Sequence, residues 1–171
     1  LPACSAREAA VLARLAARHG HVSAERVLSG PGLVSLHEAL CGLDGAPYVE
    51  RTPAQISALA LTGDCRHCAE ALDMFCALLG TVAGDLALTL GARGGLYIGG
   101  GIVPRLGDLF LRSAFRERFV AKGRFRPWLE QVPTWVILAP HAALTGASAA
   151  LDSAIEVGFT ALAEPRGRVP P

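Results

Sequence analysis

The feature that most constrains the fold of this chain is a shortage of strands. Only two segments, Gly94–Ile98 and Thr134–Leu138, are short and apolar in the way of buried strands. The sequence between them has helical patterning, which predicts parallel strands joined by a right-handed crossover. Because two strands do not make an independent sheet, the remaining strands must come from outside this sequence. The predicted fold class is therefore α/β, rich in helix, with an incomplete sheet.

Helix signals fill most of the remaining sequence. The clearest is a capped start at Thr52, with Pro53 and Gln55 behind it and an end at Gly63. The longest helical stretch follows, and Asp64 is predicted to be its N-cap. Further helices are predicted from Ser5 to Gly20, from Ser23 to Leu28, over Leu33 to Leu40 after a break at "SGPG", within Arg105–Gly123, and from His141 to Ala163, with 164–171 as a frayed end.

Two glycines lie four residues apart inside the longest helical stretch, Gly80 and Gly84. Glycine weakens a helix interior by about 1 kcal/mol relative to alanine, so a compensating role is expected. The interpretation we favour is close packing of another element against this helix.

Composition and charge exclude several classes of protein. Of the 171 residues, 51% are hydrophobic and 18% are charged, which predicts a large core and no intrinsic disorder. The formal net charge of +1 argues against a nucleic-acid groove, which needs a basic face. No uninterrupted apolar run is long enough to cross a membrane, and the first residues lack a signal-peptide layout. We therefore expect a cytoplasmic protein with neither nucleic acid nor membrane as a partner.

The five cysteines are irregularly spaced, which fits a reduced intracellular protein better than a disulfide framework. "CRHC", with Cys65, His67 and Cys68, has the form of half a zinc site or a redox pair. Cys41 and Cys76 stand alone in the sequence and the other histidines are scattered, so no second ligand pair is evident. The prediction is that no metal is bound and that Cys68 belongs to the core.

Three consecutive glycines, Gly99, Gly100 and Gly101, follow the first predicted strand. Glycines at the carboxyl end of a parallel strand allow a ligand to approach the backbone, yet the run is neither GxGxxG nor a Walker loop. An ordinary strand-to-helix turn and a ligand site are equally compatible with the residues alone. For Glu25, near a helix start, the residues alone favour compensation of the helix dipole over the alternative, binding of substrate hydroxyls.

Three stretches together resemble the bacterial glucokinases of the hexokinase type: "GHVSAERVLSGPGLVSL" (Gly20–Leu36), "GDLALTLGARGGLYIGGGIVPRL" (Gly84–Leu106) and "FRERFVAKGRF" (Phe115–Phe125). "HAALTGASAAL" (His141–Leu151) is similar to the closing segment of that family. Asp85 stands where the family more often has asparagine. The resemblance runs in order along nearly the whole chain.

This resemblance implies transfer of the ATP γ-phosphate to the 6-hydroxyl of glucose, with Mg²⁺ on the phosphates. It also implies the ribonuclease H-like fold of actin, hexokinase and Hsp70, with two domains closing over a cleft. Glu25 matches the family's glutamate that binds glucose hydroxyls, and Gly30 a glycine next to the nucleotide. Gly99, Gly100 and Gly101 fall in the segment that resembles the adenosine motif.

Several motifs of the family have no counterpart in these residues: the "D-x-G-G-T-N" phosphate turn, the "N-D" pair with the catalytic aspartate, and the "G-E-G-G-H" glucose ligands. In the family these motifs precede the segment that matches Leu1. The resemblance therefore covers a C-terminal portion, mostly the large domain, over 1–171, which contains no catalytic residue and is expected to be inactive alone. The alternative is a non-catalytic binding or assembly module, and exposed sheet edges favour self-association, for example as a homodimer.

Overall fold

The computed structural model describes residues 1–163, with side chains to Ile155; the predicted frayed end, 164–171, lies outside the described residues. The chain divides into two compact units, Leu1–Val136 and a second unit that begins at Ile137. The second unit contains one long helix, which starts within one residue of its predicted position. That helix is α9, Ala142–Ala163.

The first unit is mainly helical. Its later elements are connected by two 3₁₀ turns, Val103–Arg105 and Gly123–Phe125. Its two strands are β1, Leu96–Ile98, and β2, Thr134–Val136. Its helices are α1 (Ala6–His19), α2 (Ala24–Val27), α3 (Gly30–Leu43), α4 (Pro53–Thr62), α5 (Arg66–Leu90), α6 (Asp108–Arg112), α7 (Phe115–Val120) and α8 (Arg126–Glu130).

The helix boundaries confirm most of the predicted caps and correct two. Thr52 and Gln55 form the expected capping box on α4, and Gly63 ends α4 in the left-handed conformation. The prediction for Asp64 is wrong, because the N-cap of α5 is Cys65 and no side chain caps it. "SGPG" does separate α2 from α3, as predicted, but α3 starts within it and not at Leu33, since Ser29 caps α3 and the glycines form its first turn.

The core is organised around α5, which packs against α3, α4 and α7. By length and composition α5 could cross a membrane, but 67% of its most apolar stretch is buried inside the protein. This degree of burial is typical of a core helix, whose apolar surface packs against neighbouring elements. The structure therefore places this hydrophobic stretch at the centre of the first unit.

Gly80 and Gly84 have the packing role that the sequence predicted. A β-carbon at Gly80 would overlap the carbonyl oxygen of Phe115, and one at Gly84 would overlap that of Phe119. Both carbonyls belong to α7, so the backbones of α5 and α7 touch at these two positions. No larger residue fits there unless one helix moves.

The two strands pair in parallel, as predicted, with Leu96 opposite Thr134 and Ile98 opposite Val136. In the part of the chain that the structure describes, they form a sheet of two strands only. Tyr97 and Trp135 pair across it with ring centroids 4.8 Å apart, and both remain largely exposed. Among the described residues, nothing fully covers this aromatic pair.

Charged side chains bind the N-terminal helix to the core at two places. At the first, which is exposed, the Arg7 guanidinium donates to Asp44 at 2.6 Å and to Glu70 at 2.7 Å, and His67 lies 3.0 Å from Asp44. At the second, which is partly buried, Arg118 donates to Glu8 at 2.6 Å.

We expect the Asp44 carboxylate to make stability depend on pH in the acid range. Hydrogen bonds from Arg7, and then from His67, lower the pKa of Asp44 from 3.8 to about 2. Because the folded state holds the ionised form, this contribution is complete above pH 3.8 and is lost as pH falls through about 2. Between these pH values, the free energy of unfolding measured with urea should therefore fall more steeply with decreasing pH in the wild type than in Asp44→Asn. Asp108→Asn, at an exposed helix start, is the control, and equal slopes for wild type and Asp44→Asn would contradict the prediction.

Candidate functional site

Glu25 lies in a polar cavity at the start of α2. Ser23 caps this helix by accepting from the Arg26 amide at 3.2 Å, and Glu25 is exposed in its first turn. The cavity, hereafter the glutamate cavity, has a volume of about 280 Å³. A carboxylate, a guanidinium and three hydroxyl groups line it, a set that suits hydroxyl-bearing ligands. The lining residues are Ser23, Glu25, Arg26, Ser29, Pro31 and Ser35.

Gly30 begins α3, directly after its Ser29 cap. A β-carbon at Gly30 would lie 3.4 Å from Cγ of Pro53, which is ordinary contact. A β-carbon at Gly32 would instead overlap the backbone of Val27. Gly32 is therefore the glycine that this turn requires sterically, and sequence reasoning missed it although both glycines stand in "SGPG". Gly30 brings α3 and α4 into contact.

Gly99, Gly100 and Gly101 follow β1 and are exposed. Gly100 has a φ of +110°, which side chains rarely adopt, and a β-carbon at Gly100 or Gly101 would meet nothing within 4 Å. The run therefore leaves open space beside the backbone. Gly101 lines a second cavity, hereafter the glycine cleft, of about 190 Å³. Its other lining residues are Pro53, Ala54, Ser57, Ala58 and Leu61 of α4, with Ile102 and Arg105.

A third cavity connects these two. Its lining includes Pro31 and Ser35, which also line the glutamate cavity, and Pro53, which also lines the glycine cleft. The start of α3 thus lies on one continuous concave surface, to which Ser29 and Pro31 contribute, whereas Gly30 lines none of the three cavities. This surface, hereafter the α3–α4 groove, has Glu25 toward one end and Gly101 toward the other. The structure brings together residues 76 positions apart in the sequence.

The glycine cleft fits the nucleoside part of ATP better than a magnesium ion. The glycine cleft is mainly apolar, with Arg105 among its lining residues, which suits an aromatic base next to anionic groups. Among the described residues that line the glycine cleft there is no carboxylate, the ligand type that Mg²⁺ prefers. The cleft therefore supplies no protein ligand for Mg²⁺, which remains a prediction from the resemblance.

Arg26, Ser29, Ser35 and Arg105 also line these cavities, and sequence reasoning did not select them. The sequence carried a weak signal for Ser29, which directly precedes Gly30, and for Arg105, which stands four residues after Gly101. The sequence carried no signal for Ser35, which reaches the glutamate cavity only because α3 places it one helical turn after Pro31, on the same face. Its hydroxyl donates to the Pro31 carbonyl oxygen at 3.0 Å.

A separate cluster of cysteine and histidine corrects the reasoning about "CRHC". Ligand atoms of His37, Cys65 and Cys68 all lie within 4.8 Å of one another. Cys41 is not isolated either, because its sulfur is 3.6 Å from Nε2 of His37. His67, the histidine within "CRHC", instead faces Asp44. The prediction that Cys68 is buried is confirmed, but the premise that no second ligand pair exists is wrong.

Comparison with known proteins gives one consistent result. The family model described as Glucokinase matches residues 1–154. A glucokinase of Aromatoleum aromaticum is 59% identical over 155 residues, and one of Chromobacterium violaceum is 54% identical over 145. These alignments cover 91% and 85% of this chain but only 47% and 42% of those proteins.

The structural comparison agrees with the sequence comparison. A crystal structure of glucokinase from an Antarctic psychrotroph matches with a TM-score of 0.82 at 44% identity, over 90% of this chain and 48% of that one. The chain spans about half the length of the relatives it matches. With the family model matching most of its residues, this chain belongs to the glucokinase family.

Proposed function

We propose that this chain supplies the adenosine side of the active-site cleft and one glucose-binding carboxylate of an enzyme that phosphorylates glucose with ATP. The observation that carries the proposal is the α3–α4 groove, which joins Glu25 to the glycine run through the start of α3. A sugar and a nucleotide must lie side by side for phosphoryl transfer, and one continuous groove can hold both. We propose that the chain is the C-terminal portion, mostly the large domain, of a ribonuclease H-like fold.

Glu25 is suited to the sugar because its two carboxylate oxygens accept hydrogen bonds and donate none. Two neighbouring sugar hydroxyls can each donate to one oxygen, and a ligand without those hydroxyls leaves the carboxylate unpaired. The serine hydroxyls of the glutamate cavity can add further hydrogen bonds to the sugar. Gly100 and Gly101 contribute because they have no side chain, and the open space beside their backbone admits the nucleotide.

Catalysis requires a base for the glucose 6-hydroxyl, which the resemblance assigns to none of these residues. We therefore propose that the 171-residue chain alone does not phosphorylate glucose. Joined after the N-terminal half of the Aromatoleum aromaticum glucokinase, in place of the segment it matches, the chain should give ATP- and glucose-dependent turnover in a coupled assay. Turnover by the chain alone, lost in Glu25→Gln, would overturn the claim of inactivity.

The same chimera tests the role of Glu25. Glu25→Gln keeps the shape of the side chain but loses an ionised acceptor, so kcat/KM for glucose should fall at least about tenfold. The KM for ATP should change little, because Glu25 lines the glutamate cavity and not the glycine cleft. Glu117→Gln is the matched control, since Glu117 is exposed on α7 and lines neither cavity. An unchanged kcat/KM in Glu25→Gln would remove Glu25 from the site.

One observation supports a second candidate, a non-catalytic assembly module. Tyr97 is 67% exposed and Trp135 is 42% exposed on the two-stranded sheet, so the stacked pair presents aromatic surface without cover from the described residues. Large aromatic side chains of this kind are typical of contact surfaces. An inactive chimera, together with self-association of the chain that Trp135→Ser abolishes in size-exclusion chromatography, would favour this candidate.

A further inference from the structure

Four potential metal ligands come together where α3 packs against the start of α5. His37 and Cys41 lie one turn apart on α3, four residues from each other, which places both side chains on the same helix face. Cys65 is the N-cap of α5 and Cys68 is in its first turn. The combined pattern is His-x₃-Cys followed by Cys-x₂-Cys, two closely spaced pairs of the kind that bind structural zinc.

The distances approach those of a tetrahedral site. Bonds of about 2.3 Å to sulfur and 2.0–2.1 Å to nitrogen place neighbouring ligands of zinc about 3.6–3.8 Å apart. The Cys41 sulfur is 3.6 Å from Nε2 of His37. The ligand atoms of His37, Cys65 and Cys68 lie within 4.8 Å of one another. The Cys41 sulfur faces the other ring nitrogen from the unpartnered Nδ1, so the Cys41 side chain has to turn toward Nδ1 to become the fourth ligand.

Burial points to a ligand that the polypeptide does not provide. His37 is fully buried, and its Nδ1 atom has no hydrogen-bond partner in the described part of the chain. A buried polar atom without a partner costs about 1–3 kcal/mol, so such atoms are rare in proteins. Cys41 and Cys68 are buried as well, at 2% and 0% exposure. An ion bound at Nδ1 would give that atom a partner and would use the sulfur atoms of Cys65 and Cys68, which otherwise only fill space.

The charge around the cluster suits thiolate ligands. Three thiolates, one neutral imidazole and a divalent ion together carry a net charge of about −1. Arg51 lies beside the cluster, with Nη1 3.4 Å from Nε2 of His37. Its guanidinium can offset that charge inside the protein, where an isolated anion would be costly.

We propose that His37, Cys41, Cys65 and Cys68 bind a structural zinc ion that links α3 to α5. Thiolate and imidazole ligands select zinc over magnesium or calcium, and four protein ligands leave no open position for catalysis. The ion would hold α3 in place, and α3 contributes Pro31 and Ser35 to the α3–α4 groove. The proposal does not depend on the proposed activity, because the ligands lie outside that groove.

The test uses the 171-residue chain, purified in reducing buffer, stripped of metal with a chelator and titrated with Co²⁺ and then Zn²⁺. One Co²⁺ per chain should produce thiolate-to-cobalt charge-transfer absorption and intense tetrahedral d–d bands, and Zn²⁺ should bleach both. Zinc at about 100-fold above its Kd should raise Tm by about 5 °C or more. Absence of thiolate bands, or zinc binding weaker than micromolar, would overturn the proposal.

Matched variants separate this site from the one that "CRHC" alone would suggest. His37→Asn and Cys65→Ser should weaken zinc binding at least about 100-fold, and Cys41→Ser should lower the charge-transfer intensity by about a third. His67→Asn and Cys76→Ala should leave binding unchanged, because His67 faces Asp44 and Cys76 lies two turns beyond Cys68. Circular dichroism of each metal-free variant checks that it folds. Loss of binding in His67→Asn but not in His37→Asn would contradict the assignment.

Discussion

Replacing Glu8 by glutamine is expected to lower the free energy of unfolding by about 2 kcal/mol, because it leaves the half-buried Arg118 without a counter-charge. Glu8 is 6% exposed, and its carboxylate accepts from Arg118 at 2.6 and 3.1 Å and from the Cys4 amide at 2.7 Å. Arg118 also donates to the Thr81 hydroxyl at 2.9 and 3.1 Å. Three helices, α1, α5 and α7, therefore meet at one ion pair.

Urea unfolding of wild type and Glu8→Gln measures this loss directly. Glu130→Gln is the matched control, since Glu130 pairs with Arg126 at an exposed i,i+4 position and should cost less than about 0.5 kcal/mol. The double variant Glu8→Leu, Arg118→Met should recover most of the stability, because an apolar pair of similar volume replaces the ion pair. A loss in Glu8→Gln no greater than that in the control would show that solvent screens the pair.

The pH dependence of the same pair has a definite sign. Burial raises the pKa of Glu8, but hydrogen bonds from Arg118 and the Cys4 amide outweigh it and hold the pKa below 4.5. A carboxyl group with a lowered folded pKa contributes stability above its unfolded value and loses it as pH falls through the folded value. The difference between wild type and Glu8→Gln should therefore be largest above pH 4.5 and shrink in acid.

The elements that sequence predicted well are those fixed by neighbours within a few residues. The capping box at Thr52 and the left-handed end at Gly63 are complete within one helix, so their residues determine them. The two parallel strands also follow from short apolar runs with helix between them. The prediction of Asp64 as the N-cap of α5 was wrong by one residue, because Cys65 takes that position. Local patterns resolve a difference of one residue poorly.

What sequence could not predict is contact between distant residues. Glu8 and Arg118 are 110 positions apart, and neither residue carries a local sign of the other. His37 joins Cys65 and Cys68 only because α3 packs on α5, whereas the nearer His67 turns to Asp44. The glycines of the candidate site were predicted from the resemblance, since glycine spacing alone fits a plain turn as well. Gly32, required by contact with Val27, could be recognised only in three dimensions.

Gly80→Ala is expected to destabilise the fold by up to about 2 kcal/mol, against the intrinsic preference of a helix for alanine. Helix propensity alone predicts a gain of about 1 kcal/mol from this change. The added β-carbon, however, would overlap the Phe115 carbonyl oxygen, and overpacking of this kind costs typically about 1–3 kcal/mol. The obstacle is backbone of α7, which cannot rotate away as a side chain can.

Gly42→Ala provides the opposite outcome in the same protein. Gly42 lies inside α3 and is exposed, and its β-carbon would meet only the guanidinium of Arg14, the far end of a flexible side chain. Propensity should then decide, so urea unfolding should show an unchanged or higher stability, by up to about 1 kcal/mol. Because both changes add the same methyl group to a helix, the difference in sign isolates the backbone contact between α5 and α7. Equal effects at Gly80 and Gly42 would show that this contact has room to relax.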